Sequence, residues 1–392
     1  MKSSGFETAI LENVTLKTEQ WSPQEHPDAE FKYIDINSID RLTKTIVDAK
    51  QLSGSQAPSR ARLIVNESDV IVSTVRPNLN AVALITKDLD KATASTGFCV
   101  LRPDNRRLDS RYLYHFVRHP AFISRLIERA TGASYPAVTD KIILESKIPL
   151  PPLQVQKKIA AILEKADQAR RKRQETLRLT DQFLQSAFLQ MFGDPVINSK
   201  KYKKVKLSDL GTLERGRSKH RPRNAPELLG GKYPLVQTGD IANCYRYIKS
   251  FNQTYSEFGL GQSRMWPKGT LCITIAANIA KTGILAFDAC FPDSVVGFTP
   301  NEKSKVEYVQ YCLSFFQKIL EDNAPESAQK NINLEILRKM EVPIPSLTEQ
   351  KTFVLLIEKV EAFREKQRQS EQELEILFQS LMQKAFTGEL AY

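Results

Sequence analysis

The 392-residue chain contains little that could do chemistry. It lacks a GxxxxGKS/T phosphate loop, an HExxH helix and a complete GxGxxG, of which Gly259-Leu260-Gly261 is only a fragment. Nucleotide hydrolysis, zinc proteolysis and dinucleotide binding therefore lose their usual footing. No Asn-Pro-Pro-aromatic or Asp-Pro-Pro-aromatic tetrapeptide occurs, which removes the grip of an amino-methyltransferase on a flipped base. The four histidines show no triad or zinc spacing. The five cysteines, Cys99, Cys244, Cys272, Cys290 and Cys312, are odd in number and not spaced as ligands or redox pairs. They read as buried, reduced thiols packing as small hydrophobes. No apolar run approaches the ~18 residues of a membrane span, and the opening MKSSGFETAILENV has no basic-then-apolar signal pattern. The expectation is a cytoplasmic, non-catalytic binding protein with no metal site and no cofactor of its own.

Charge is what the chain does have. Hydrophobic content of 41% and charged content of 26% suit a soluble globular protein, and the length suggests two or three domains. The net charge is +11, and 193–347 holds 22 basic against 15 acidic side chains. A basic surface favours a polyanionic partner.

The sequence also says one thing twice. Residues 148–192, IPLPPLQVQKKIAAILEKADQARRKRQETLRLTDQFLQSAFLQMF, align without a gap on 342–386, VPIPSLTEQKTFVLLIEKVEAFREKQRQSEQELEILFQSLMQKAF. Pro149 falls on Pro343, Pro151 on Pro345, Gln156 on Gln350, and Phe192 on Phe386. Each copy is a proline-marked lead-in to a long amphipathic helix. The period is too long for a solenoid, so the chain reads as a duplicated α/β (α+β) domain, 1–147 and 193–341, each followed by a helix, 148–192 and 342–392. In the first domain, 31–36, 61–65, 69–75, 81–86 and 96–103 have the β-branched content of strands, and 109–130 has helical spacing. The second domain keeps this frame while its loops differ.

Apolar residues of the helices recur at alternating gaps of three and four, the coiled-coil pattern. Ile159, Leu163, Leu177 and Leu184 lie on the first seam, and Phe353, Ile357, Val360, Leu374, Phe378 and Leu381 on the second. Both seams are polar at the centre, where an antiparallel pairing would set Arg170 against Glu371. Phe183 and Phe188 widen the apolar face beyond what two helices need, which suits either packing on the domains or docking of partner helices. A helix of about 35 residues is roughly 50 Å long, the length of about 15 base pairs.

Residues suited to DNA lie in loops. Arg215, Arg217, Lys219, His220, Arg221 and Arg223 form a basic loop with no likeness in the first half. Lys17, Gln20, Trp21 and His26 hold its place there. Arg76, Asn78 and Asn80 follow a strand, and Ser134 and Tyr135 lie in a turn; Asn278 and Lys281, then Gln329 and Lys330, take the corresponding places in the second half. Arginine forks match guanine edges and amides match adenine, whereas phosphate contacts alone carry no sequence information.

The twin lead-ins IPLPPLQVQKKIAAIL and VPIPSLTEQKTFVLLI, with the helix ends FLQSAFLQMFGDP and LFQSLMQKAFTGEL, resemble the specificity subunit of type I restriction–modification systems. FKYIDINSID, STGFCVLRP and TGASYPAVTDKIILESKIPLPPL resemble its first target-recognition domain, and KLSDLGTLERGRSKHRPRN and YPLVQTGDI its second. The resemblance implies two target-recognition domains on double-stranded DNA, each reading one half of a bipartite site, and an antiparallel coiled coil between them. It also implies two methylation subunits carrying S-adenosylmethionine and acting on adenine, and two restriction subunits using ATP and Mg. The other readings open to this sequence are a self-contained methyltransferase or nuclease, and a coiled-coil scaffold with no nucleic-acid role.

Overall fold

The computed structural model describes residues 6–276, 279–322 and 332–390. The chain divides into two compact units, one formed by 1–176 with 367–392, the other by 177–366. The division cuts both long helices, Leu153–Phe192 and Leu347–Thr387. Each unit therefore contains the first part of one helix and the last part of the other.

The first unit has two four-stranded sheets. In one the order is Lys50–Ser53, Glu30–Ile34, Thr93–Ser95, Ala61–Ile64; in the other it is Thr15–Leu16, Phe98–Pro103, Val70–Ser73, Val82–Leu84. The second unit repeats both orders: Gln253–Tyr255, Leu229–Leu235, Ala289–Cys290, Met265–Trp266, and Gly211–Arg215, Val295–Pro300, Leu271–Thr274, Thr282–Leu285, with Tyr247–Ile248 added at the edge. Even the strand directions repeat, because Glu30–Ile34 pairs parallel with Thr93–Ser95, as Leu229–Leu235 does with Ala289–Cys290. The central strands Val70–Ser73 and Leu271–Thr274 are buried throughout. Both faces are covered, so these strands read as apolar runs rather than as alternation.

The sequence expectation of one helix over 109–130 is corrected. Pro120 ends it, since the residue before a proline is pushed to extended backbone. His119 has φ −65° and ψ 134° and caps a second helix, Pro120–Glu128, after Ser110–Val117. Sequence reading also passed over the strands Lys50–Ser53 and Thr93–Ser95 and the short helices Thr238–Asn243 and Glu257–Gly261.

The duplicated lead-ins are fasteners. Ala9 pairs with Ile148 in a short antiparallel ribbon, and Val205 with Val342 in its counterpart. Gln156 is fully buried. Its Oε1 accepts from the Asp109 N–H at 2.9 Å, and its Nε2 donates to the Arg107 and Pro151 carbonyls at 2.9 and 2.8 Å. Gln350, equally buried, accepts from the Lys305 N–H at 2.8 Å and donates to the Lys303 and Pro345 carbonyls at 3.2 and 3.1 Å. An amide has the donor and acceptor that such a junction requires. The Tyr112 hydroxyl donates to the Pro149 carbonyl, and that of Tyr308 to Pro343.

Within each unit the helix segments run antiparallel. In the first, Ile159 and Leu163 share a core with Phe378, Met382, Ala385 and Phe386, while Arg170 Nε meets Glu375 Oε2 at 2.8 Å. In the second, Leu184 and Phe188 pack with Phe353, Ile357 and Val360, and Arg364 pairs with Asp181. The expected pairing of Arg170 with Glu371 is thus displaced by one turn to Glu375. The Arg170 guanidinium lies 4.4 Å from the Phe378 ring centre, and that anchor sets the register.

Candidate nucleic-acid interface

In the first unit two loops meet. The chain turns between Val70–Ser73 and Val82–Leu84 through a 3₁₀ turn, Pro77–Leu79, flanked by Arg76 at φ 50° and Asn80 at φ 48°. Left-handed backbone at residues with a Cβ costs on the order of 1–3 kcal/mol each and persists where surroundings enforce it. Here the enforcement comes from 131–138. The Arg76 N–H donates to Pro136 O at 2.7 Å and the Val138 N–H to Thr74 O at 2.8 Å. The Arg76 guanidinium lies over the Tyr135 ring, 4.2 Å from its centre, and Tyr135 is 66% exposed. The strained turn and the exposed Ser134-Tyr135 turn thereby form one surface bearing Arg76, Asn78 and Tyr135. Lys44, which sequence reading did not single out, donates from Nζ to Asn80 O at 2.6 Å. Burial, then the charges of Arg118 and Arg41, push its pKa down to about 8.

The 17–30 segment divides by role. Lys17, Gln20 and His26 are exposed. Trp21 is half-buried, donates from Nε1 to Thr93 Oγ1 at 2.9 Å and meets Phe31 edge-on. The one polar atom of this indole is thereby taken within the unit.

In the second unit the basic loop lies on the turn before Val295–Pro300. Gly216 permits the approach: a Cβ there would sit 2.3 Å from Pro292 O and 2.6 Å from Phe291 Cδ2. The Gly216 N–H donates to Val295 O and the Arg217 N–H to Phe291 O. Arg217 and Lys219 are exposed. His220 Nε2 lies 3.5 Å from Glu227 Oε1 and its ring meets Phe258 edge-on. Arg215, Arg221 and Arg223 all reach Asp293. Across the sheet, the turn between Leu271–Thr274 and Thr282–Leu285 again contains a left-handed residue with a Cβ, Ala280 at φ 57°. Lys281 beside it is half-buried, its N–H donating to Thr274 Oγ1. Asn278, Gln329 and Lys330 lie outside the described residues.

Of the residues expected on a partner-docking face, Ile159, Leu163, Leu184, Phe188, Phe353, Ile357, Val360 and Phe378 are buried in the unit cores. Leu177, Leu374 and Leu381 are half-buried, and Phe183 is 53% exposed. Leu179, Leu189, Leu355, Phe363, Ile376 and Leu377 are exposed on the same helices. The helices thus present apolar surface after both cores are complete.

The cysteines are buried or half-buried, and burial pushes the thiols up, Cys244 to about 11 and Cys312 to about 12. Among the described residues, no group of three or more His, Cys, Asp or Glu could hold a metal ion, and no helix is long and apolar enough to cross a membrane.

Residues 18–179 and 199–376 both match the type I restriction modification DNA specificity domain. The chain belongs to that family. Its two specificity domains each run from the mixed sheets well into a long helix. The chain is 23% identical to the putative type I restriction enzyme MjaX specificity subunit of Methanocaldococcus jannaschii, over 93% of this chain and 87% of the relative. It is 24% identical to the EcoBI specificity subunit of Escherichia coli, over 74% and 68%. A chain of a type I R-M system, solved to describe complex assembly and conformational transition, superposes with a TM-score of 0.63 at 28% identity, over 98% of both chains. The type I S subunit from M. genitalium gives 0.59 at 14% identity, a likeness of fold alone.

Proposed function

We propose that this chain is the non-catalytic reader of a type I restriction–modification complex. Each unit binds one half of a bipartite site on double-stranded DNA, and the paired helices set the spacing between the halves. Their exposed apolar residues, Leu179, Phe183, Phe363 and Leu377 among them, dock two methylation subunits that use S-adenosylmethionine to methylate adenine. Two restriction subunits add ATP- and Mg-dependent cleavage, all in the cytoplasm. The observation that carries the reading is a repeated frame with unlike loops. Gln156 and Gln350 make the same three bonds, while the arginine loop that reaches Asp293 has no counterpart in the first unit's sequence. Two similar supports presenting different side chains suit two targets and one repeated partner.

The test is co-expression with the accompanying methylation subunit and mapping of methylated adenines across the host genome. One bipartite motif is expected, and exchange of residues 1–147 for those of another family member should alter one half only. Inserting a helical turn should change the gap by a few base pairs. Methyl transfer by the purified chain alone would overturn the reading.

A further inference from the structure

Three arginines of the basic loop converge on one residue. Arg215 Nε donates to the main-chain oxygen of Asp293. Arg221 Nη2 lies 3.3 Å from Asp293 Oδ2, and Arg223 Nη2 lies 2.6 Å from Oδ1. The arginines are not equivalent. Arg221 Nη1 also donates to Ser218 O at 2.6 Å and His220 O at 2.8 Å, so its guanidinium is occupied within its own loop. Among the described residues, Arg223 makes one hydrogen bond, to Asp293, and its side chain is 49% exposed. A guanidinium has five donors, so this bond leaves others for a ligand.

Asp293 is well placed to aim that guanidinium. It lies between the strands Ala289–Cys290 and Val295–Pro300, and its neighbours Phe291 and Val295 accept backbone bonds from Arg217 and Gly216. The carboxylate thus stands on a turn between two strands, to which the start of the loop is itself bonded. Fixing one nitrogen of a guanidinium restricts where the others point, and a charge-assisted bond does so strongly. Asp293 is a single carboxylate among three guanidinium groups, which leaves the cluster positive. A long-range attraction to DNA therefore remains while the arginines are held from random phosphate contacts.

We propose that Asp293 is a positioning residue for base readout: it aims Arg223 at a guanine edge in the half-site read by the second unit. The inference rests on the assignment of that unit as a DNA reader. Without the carboxylate, the arginines repel one another and turn to phosphates, so affinity persists while discrimination falls.

The test uses the complex with its methylation subunit. The wild-type motif is mapped first, and duplexes carrying it, or a base change at each guanine, are then titrated at several salt concentrations. Asp293→Asn should lower discrimination at one guanine of one half-site by at least about tenfold. It should also bind unrelated duplex more tightly, with a steeper salt dependence. Arg223→Ala should lose preference at the same guanine, and Asp293→Glu should largely keep it. An unchanged motif and salt slope in Asp293→Asn would overturn the proposal. So would a uniform loss of affinity for all duplexes with the motif intact, the signature of a residue that only supports the loop. A wild-type complex that marks no bipartite motif would instead sink the underlying assignment, and this inference with it.

Discussion

The two units use the same joints and different interiors. Gln156 and Gln350 fasten the helix starts alike, and Phe386 and Phe192 complete the cores alike. Phe386 lies 5.2 Å from Tyr112, and Phe192 lies 5.1 Å from Tyr308. The polar centres diverge. In the first unit Asp167 accepts from Arg118, Arg170 and Arg171, and Arg118 lies over Tyr114. In the second unit Arg246 pairs with Glu361 and lies over Tyr311, while Arg364 pairs with Asp181 and lies over Tyr245. Arg170 and Arg364, which interrupt the two apolar seams, each have both a carboxylate and a ring. The comparison teaches that what duplication must preserve is the joint. The neutralisation of a buried charge can be met by different residues from different elements.

If the joints are equivalent, breaking them should cost the same on both sides. Phe386→Ala and Phe192→Ala each remove a fully buried ring, and each should cost about 3–5 kcal/mol. Denaturant titration measures the sum, and hydrogen exchange of Ser110–Val117 against Val306–Asp322 locates it. A large loss confined to one of the two variants would break the equivalence.

The charge clusters should respond unequally. Asp167 and Arg118 have side chains only 7% and 6% exposed. Although burial alone would raise the Asp167 pKa, the hydrogen bond and charge of Arg118, then Arg171, hold it below the usual carboxylate range. Asp167→Asn takes the carboxylate from Arg118 and Arg171 and leaves Arg170 with Glu375 alone, and should cost about 3 kcal/mol. Glu361 is 18% exposed, and Arg246 keeps Tyr311 without it. Glu361→Gln should therefore cost about 1 kcal/mol. Urea midpoints of the two variants check the ranking, and equal losses would show that the clusters are interchangeable after all.

Those differences also explain what could be read from the sequence. The repeat, the strand frame and the helices were legible because periodicity and proline placement are local. The identity of Gln156 and Gln350 was visible too, but the bonds that make each a fastener involve carbonyls of Arg107 and Lys303, far upstream in the chain. Pro120 announced the break in 109–130, and the helical spacing on either side of it masked the signal. The helix register missed by one turn because Arg170 stacks on Phe378, a tertiary contact that no heptad pattern contains. Asp293 carried no signal at all: it follows Pro292 in a turn, about seventy residues from the arginines it holds. The pairing of Arg76 with Tyr135 is equally hidden, because the two residues belong to different loops.

A smaller effect sharpens the contrast through pH. His115 is 2% exposed, and its Nδ1 has no hydrogen-bond partner. Burial, then the charge of Arg118, lowers its pKa to about 3, and burial lowers that of its neighbour His119 as well. A base whose pKa is lower folded than unfolded is protonated first in the unfolded chain. Its contribution to stability is complete above the ordinary value of 6.5 and drains away as pH falls from there toward 3. His115 should therefore cost the first unit on the order of 1–2 kcal/mol between pH 7 and pH 5, where Asp167 stays ionised. With Tyr112 and Tyr308 as the common reference, the matching position in the second unit is Tyr311, which burial pushes up and away from this range. Hydrogen exchange at the two pH values, corrected for intrinsic rates, should show protection falling over 110–128 while 306–322 holds. His115→Gln should remove most of the difference. Equal loss in both helices would assign the acid sensitivity to groups the units share, and the contrast drawn from their interiors would not extend to His115.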